Sequence, residues 1–160
     1  MTSLNSPENS PQAWMAEALR LAHQAASEDE VPVGAVVVHQ GKVVGRGYNR
    51  RESDQDPLGH AELMAIREAA RSLGSWRLMD CVLVVTLEPC PMCLSAAQQA
   101  RVSQVVFGAN DPKGGALSLG YRVHEDPRTN HRFRVELEEN AECSQVLRDF
   151  FKKKRAAGPV

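Results

Sequence analysis

Apolar side chains recur along this chain with two different periods. Between Pro11 and Ser27, Trp14, Met15, Ala18, Leu19, Ala22 and Ala25 or Ala26 fall three and four apart, which predicts an amphipathic helix. Val33–Val38 and Lys42–Tyr48 are rich in β-branched residues and are parted by His39-Gln40-Gly41, the pattern of an antiparallel hairpin. Helical spacing returns from Ala61 to Leu73 and is stopped by Gly74. Cys81–Thr86 reads as a short buried strand, and Pro91 suits the first turn of a helix running to about Ala100. Val102–Phe107 is a further strand, ending at Gly108. A loop rich in Gly and Asp follows from Asn110 to Gly120, then a stretch with no clear period. A strand near Phe133–Leu137 and a closing helix from Ala141 to about Lys154 complete the chain. This alternation predicts an α/β sandwich. Two strands joined by a crossover helix, Cys81–Thr86 and Val102–Phe107, should lie parallel, with helices on both faces of the sheet.

The length of 160 residues fits one domain, expected over 13–155. Residues 1–12, rich in Ser, Asn and Pro, read as a disordered leader, and 156–160 as a flexible tail. The longest apolar runs, such as Val31–Val38, are far too short to span a bilayer, and the N-terminal residues lack the basic-then-apolar order of a signal peptide. A cytoplasmic protein with reduced cysteines is the expectation. A formal net charge of −1 argues against a generally basic nucleic-acid binder and leaves room for a local basic patch.

His60-Ala61-Glu62 and Pro89-Cys90-Pro91-Met92-Cys93 change the picture from fold to chemistry. One imidazole and two thiolates can hold zinc with a fourth position left open, as catalytic sites require. Cys90 and Cys93 are three apart at a predicted helix start, so both sulfurs can face one point. Free amide groups and the helix dipole favour thiolate there. His60 also falls at a helix start. Glu62, two residues on, is near enough to move protons without binding the metal. The pattern H-x-E followed by P-C-x-x-C is the known signature of the zinc base deaminases. The competing reading is a closed structural site, with Cys143, His124 or His131 as fourth ligand. Cys81 and Cys143 otherwise read as buried thiols. Gly45 and Gly47 are read as relief of strand crowding, since no complete phosphate-binding loop surrounds them.

At these residues the chain resembles the bacterial tRNA-specific adenosine deaminases, within the cytidine deaminase-like superfamily. The resemblance runs from about Trp14 to Arg155. It rests on the two zinc segments, Val31-Pro32-Val33-Gly34, Gly47-Tyr48-Asn49-Arg50, Thr86-Leu87-Glu88-Pro89-Cys90, Asp111-Pro112-Lys113-Gly114-Gly115, Asn130-His131-Arg132 and Phe150-Phe151. It implies a three-layer α/β/α sandwich with a five-stranded mixed sheet, one zinc ion per subunit, a homodimer, and a tRNA anticodon stem-loop as partner. The implied reaction converts adenosine to inosine at the wobble position, with Glu62 catalytic and His60, Cys90 and Cys93 as zinc ligands. Carried over by position, Asn49, Asp111, Lys113, Asn130, His131 and Phe151 are the substrate-binding candidates. Each also has a local reading: a turn for Asn49, a solvated Asp-Pro-Lys turn, a loop for Asn130 and His131, and a core-facing stripe with a solvated basic end for the last helix.

The chain departs from that family at three places. Gly59 stands where Ala is usual and should loosen the approach to the His60 helix. Leu94-Ser95 adds bulk where small residues are preferred. The loop after Gly115 reads Ala116-Leu117-Ser118-Leu119-Gly120-Tyr121 and should affect substrate preference more than catalysis. Deamination of free guanine, cytosine or a nucleoside, and a noncatalytic zinc-stabilised RNA-binding module, are the alternative functions.

Overall fold

The sandwich is built on a five-stranded sheet in the order β2-β1-β3-β4-β5. The computed structural model describes residues 9–158. The elements are α1 (Pro11–Ser27), β1 (Gly34–His39), β2 (Lys42–Tyr48), α2 (Ala61–Leu73), β3 (Cys81–Val85), α3 (Pro91–Gln99), β4 (Gln104–Phe107), β5 (Arg134–Leu137) and α4 (Ala141–Ala156). Strand β1 runs antiparallel to both β2 and β3, whereas β3, β4 and β5 are parallel, so the sheet is mixed. The hairpin turns on two residues, Gln40 and Gly41, both at positive φ (50° and 75°), a twist matching that of the strands they join.

Strand alternation explains why these runs are apolar throughout. Ala35, Val37, Leu83, Val85, Val105 and Phe107 face one layer, with Ala61, Ala65 and Ala69 of α2 and Leu94 and Ala97 of α3. Val36, Val38, Val84 and Val106 face the other, against Met15, Ala18 and Leu19 of α1 and Cys143 and Val146 of α4. Both sheet faces are therefore covered by helices. The extra bulk of Leu94 is absorbed in the first core, where that side chain is fully buried.

The chain ends differ from the reading of the sequence. Residues 1–8 of the expected leader lie outside the described residues. Residues 9–12 already belong to the entry and first turn of α1, because Ser10 Oγ accepts from Ala13 N at 3.1 Å and Pro11 opens the helix. Helix α4 runs on through Ala156, beyond the expected Lys154, and residues 159–160 lie outside the described residues. Gly59 is buried and pinned, not loose. Its N–H donates to Asp56 O at 3.0 Å, and its carbonyl accepts from Arg50 N at 2.9 Å.

Helix α2 lies closer to β2 than side chains normally permit. A Cβ at Gly47 would overlap the carbonyl oxygen of Ala61, and one at Gly45 that of Ala65. These glycines relieve crowding between strand and helix. Gly47→Ala must therefore push back the helix that begins beside His60. The expected loss of stability is about 1–3 kcal/mol, as for an overpacked core, read from the midpoint of urea unfolding.

A candidate metal centre with a buried carboxylate

Two helices begin at the same place, at the C-terminal edge of the parallel strands. His60 occupies the N-cap position of α2 and Cys90 that of α3, yet neither side chain caps its helix. Asn49, following β2, does that work for α2: its Oδ1 accepts from Ala61 N at 2.9 Å. The imidazole of His60 is thereby left to face the sulfurs. Its Nδ1 lies 3.7 Å from Cys90 Sγ and 3.5 Å from Cys93 Sγ. The three ligand atoms lie within 4.8 Å of one another, a grouping able to hold a metal ion.

The protonation of the group suits a cation. Cys93 donates its S–H to Cys90, and that hydrogen bond, with a further contribution from His60, pulls the Cys90 thiol down to about 4. The same contact and burial push Cys93 well above the ordinary thiol range. The hydrogen bond to Cys90 raises His60. A metal ion at this group would compete with protons, because thiolate and neutral imidazole are the forms that bind it.

Glu62 stands outside this ligand set. It is 4% exposed in the first turn of α2, and burial raises its carboxyl above the usual range. A cleft of about 160 Å³ joins Glu62, His60 and Cys90 to Asn49, Asp111 and an apolar wall of Val31, Val33 and Leu87. That mixture of apolar walls and few polar groups is typical of a ligand site.

The closed structural site is not what the structure builds. Cys143 lies 3.9 Å (Sγ to Sδ) from Met15, in the opposite core layer. His131 Nε2 is 2.6 Å from the carbonyl of Val102, and its ring stacks on Phe133. His124 is buried against the same phenylalanine. Among the described residues, none of these joins the ligand group.

The substrate-binding candidates divide. Asn49 and Asp111 line the cleft. Asp111 also closes its own turn, its Oδ1 accepting from Lys113 N at 3.3 Å and Gly114 N at 3.1 Å, so the local reading and the site reading hold together. Asp111, Lys113 and Phe151 line a groove of about 830 Å³ that shares Val31 and Leu87 with the cleft. Phe151, 44% exposed, also borders a second groove of about 750 Å³ that reaches Asn49. Asn130 and His131 are not brought to the cleft. The lead into β5 carries them, and Gln98 Nε2 donates to the His131 carbonyl at 3.2 Å, holding this segment against the end of α3.

The basic run Lys152–Arg155, which beside Phe150-Phe151 suits stacking on bases and neutralising phosphates, brings Lys152 and Arg155 to the same groove as Phe151. Two residues of the site escaped the sequence reading, Arg148 and Glu88. Arg148 lines that groove four residues before Lys152 on one helix face, and the spacing was a usable signal. Glu88 lines the cleft and is 3% exposed, with its carboxylate turned into the loop that follows β4. Its place next to Pro89-Cys90 was the available hint.

Comparison with known proteins agrees with this arrangement. The family model of the MafB19-like deaminases matches residues 9–155. A tRNA-specific adenosine deaminase of Bacillus subtilis (strain 168) is 46% identical over 151 residues, covering 90% of this chain and 92% of that protein. A structure from a study of A-to-I editing by tRNA:A34 deaminases at the wobble position of transfer RNA superposes with a TM-score of 0.80. It is 41% identical and covers 85% of this chain and 99% of that one. The guanine deaminase of Bacillus subtilis is 32% identical with a TM-score of 0.62, covering 88% of this chain and 94% of its own. With an open His-Cys-Cys group, a buried carboxylate beside it and relatives matched over almost their whole length, this chain belongs to the tRNA-specific adenosine deaminase family.

Proposed function

We propose that this chain hydrolyses the exocyclic amine of adenosine to give inosine at the wobble position of a tRNA anticodon, using one zinc ion per subunit. The observation that carries this reading is the buried Glu62 beside a three-ligand group whose cleft shares Val31, Leu87 and Asp111 with a basic groove of about 830 Å³. The donor set fits zinc. Zn–N and Zn–S bonds of about 2.0–2.1 and 2.3 Å set nitrogen and sulfur about 3.6 Å apart around a tetrahedral ion. The spacings here are 3.5 and 3.7 Å. When bound at three protein ligands, zinc lowers the pKa of its water towards roughly 7.

The remaining work falls to the chain's own groups. Glu62 takes a proton from the attacking water and delivers it to the purine ring nitrogen. Glu62 then passes the remaining proton of the C6 hydroxyl to the amine, the C6–N bond breaks as the C6 carbonyl forms, and ammonia leaves. Burial of Glu62 suits this shuttle, because a carboxyl held above its usual range keeps hold of a proton between the two transfers more readily than a solvated one. Asn49, its oxygen already engaged with Ala61, keeps its NH₂ as a donor for the nucleoside. Asp111 and Lys113 meet flanking nucleotides, Phe151 stacks on a base, and Arg148, Lys152 and Arg155 neutralise phosphates. The wobble base is unpaired in its loop, so extruding it costs less than flipping a base from a duplex.

The enzyme is assigned to the cytoplasm, with its tRNA. No described helix is long and apolar enough to cross a membrane. A homodimer is part of the reading, with the exposed Leu119 and Tyr121 as candidate contacts. Deamination of a free base, as the guanine deaminase likeness would allow, leaves the groove around Phe151 without a task. A noncatalytic zinc module leaves Glu62 without one.

Purified zinc-loaded protein should form inosine only at the wobble adenosine of an anticodon stem-loop, and should release little ammonia from free guanine, cytosine, adenosine or cytidine. Glu62→Ala should lower turnover by roughly 10²–10⁴-fold or more while zinc stays near one per chain. Cys90→Ala should lose the zinc itself, seen by metal analysis after dialysis. Asn49→Ala strands the buried Ala61 N–H, a cost of about 1–3 kcal/mol, and should both lower the melting temperature and raise KM.

A further inference from the structure

The cleft has two walls that are far apart in sequence: the turn that carries Cys90, and the loop that carries Asp111 and Lys113. Glu88 is the side chain that joins them. Its Oε1 accepts from Asp111 N at 3.2 Å and from the Ser118 hydroxyl at 2.7 Å, and its Oε2 accepts from Ser118 N at 2.9 Å. Two backbone bonds continue the seam, Glu88 N to Ala109 O and Ala116 N to Pro89 O, each 2.8 Å. The carboxylate presses so closely on Gly115 that a Cβ there would overlap Oε2. A carboxylate this deeply buried is costly unless its oxygens are hydrogen-bonded, and here the substrate loop supplies all three donors.

We propose that Glu88 is a positioning residue for the deamination: it latches the 111–118 loop to the metal-binding turn, so that Asp111 is set against the cleft and Lys113 against the adjoining groove before RNA arrives. Ser118 is the loop's half of the latch and provides two of the three hydrogen bonds. The altered loop thus retains a fixed attachment to the metal turn while its outer residues, Leu119 and Tyr121, project into solvent. The proposal rests on the tRNA reading above for its kinetic consequence, and on geometry alone for the latch.

The test uses the zinc-loaded chain and five variants, one of them double. In Glu88→Gln the amide NH₂ cannot accept from backbone N–H groups, so at least one donor is stranded. Hydrogen exchange should accelerate across 111–118 while the α3 amides and the zinc content stay unchanged. KM for the stem-loop should rise about tenfold or more, the effect of losing one charge-assisted hydrogen bond, with a much smaller change in kcat. Ser118→Ala, which removes only the hydroxyl, should show the same signs at smaller size, and Ser118→Thr should restore both readouts. In a double-mutant cycle, Asp111→Ala should cost far less in the Glu88→Gln background than in the wild type.

Unchanged exchange over 111–118 in both Glu88→Gln and Ser118→Ala would overturn the latch. So would fully multiplicative effects of Glu88→Gln and Asp111→Ala, or loss of zinc in step with activity. If the wild type does not deaminate the stem-loop at all, the functional reading fails, and the exchange experiment still decides the latch.

Discussion

Two N-cap positions that do not cap their helices are what the site depends on. A helix start presents unpaired amides, and the residue at that point ordinarily turns its side chain back to satisfy them. His60 and Cys90 stand in those positions and do not. Asn49 takes over the duty for α2 from a neighbouring strand. The imidazole and the thiolate are therefore released towards each other, in the positive field of two helix ends. Everything else serves that meeting. The parallel strands bring the helix starts to one edge, and the glycines of β2 let α2 settle at backbone distance.

Much of this was legible in the sequence because periodicity and chemistry agreed. The helix Pro11–Ser27, the strand Lys42–Tyr48 and the helix Ala61–Leu73 fall where their apolar spacing and their Pro, Asn and Gly punctuation put them. The group that could hold a metal was legible for another reason: His60, Cys90 and Cys93 sit at helix starts, where local sequence signals are strongest. What stayed hidden depends on contacts between segments without period. Glu88 meets Ser118 thirty residues away in an irregular loop, and no spacing rule reports such a pair. Gly59 looked like slack, but its backbone bonds to Asp56 and Arg50 hold it. His131 carried a motif, yet a carbonyl of Val102 and the ring of Phe133 occupy its side chain.

The net charge near zero was silent because the charges are segregated. One groove beside the cleft carries Lys113, Arg148, Lys152 and Arg155 against Asp111 and Asp149. The other carries Glu28, Asp29, Glu30 and Glu52 against Arg51 and Lys154, with Lys154 bound to Asp29 at 2.6 Å. A whole-chain sum hides two surfaces of opposite sign that lie on either side of Phe151. For a polyanion the distinction matters more than the total, since the field close to the surface decides where phosphates can lie.

The seam between the metal turn and the 111–118 loop divides the protein into parts that can change at different rates. On one side, ligand spacing and helix contact leave almost no free volume, and a single added methyl group meets backbone. On the other, Leu119 and Tyr121 project outward, beyond the bonds that Ala116 and Ser118 make to Pro89 and Glu88. A substitution at Leu119 or Tyr121 therefore meets solvent, whereas one at Gly45, Gly47 or Gly115 meets packed atoms.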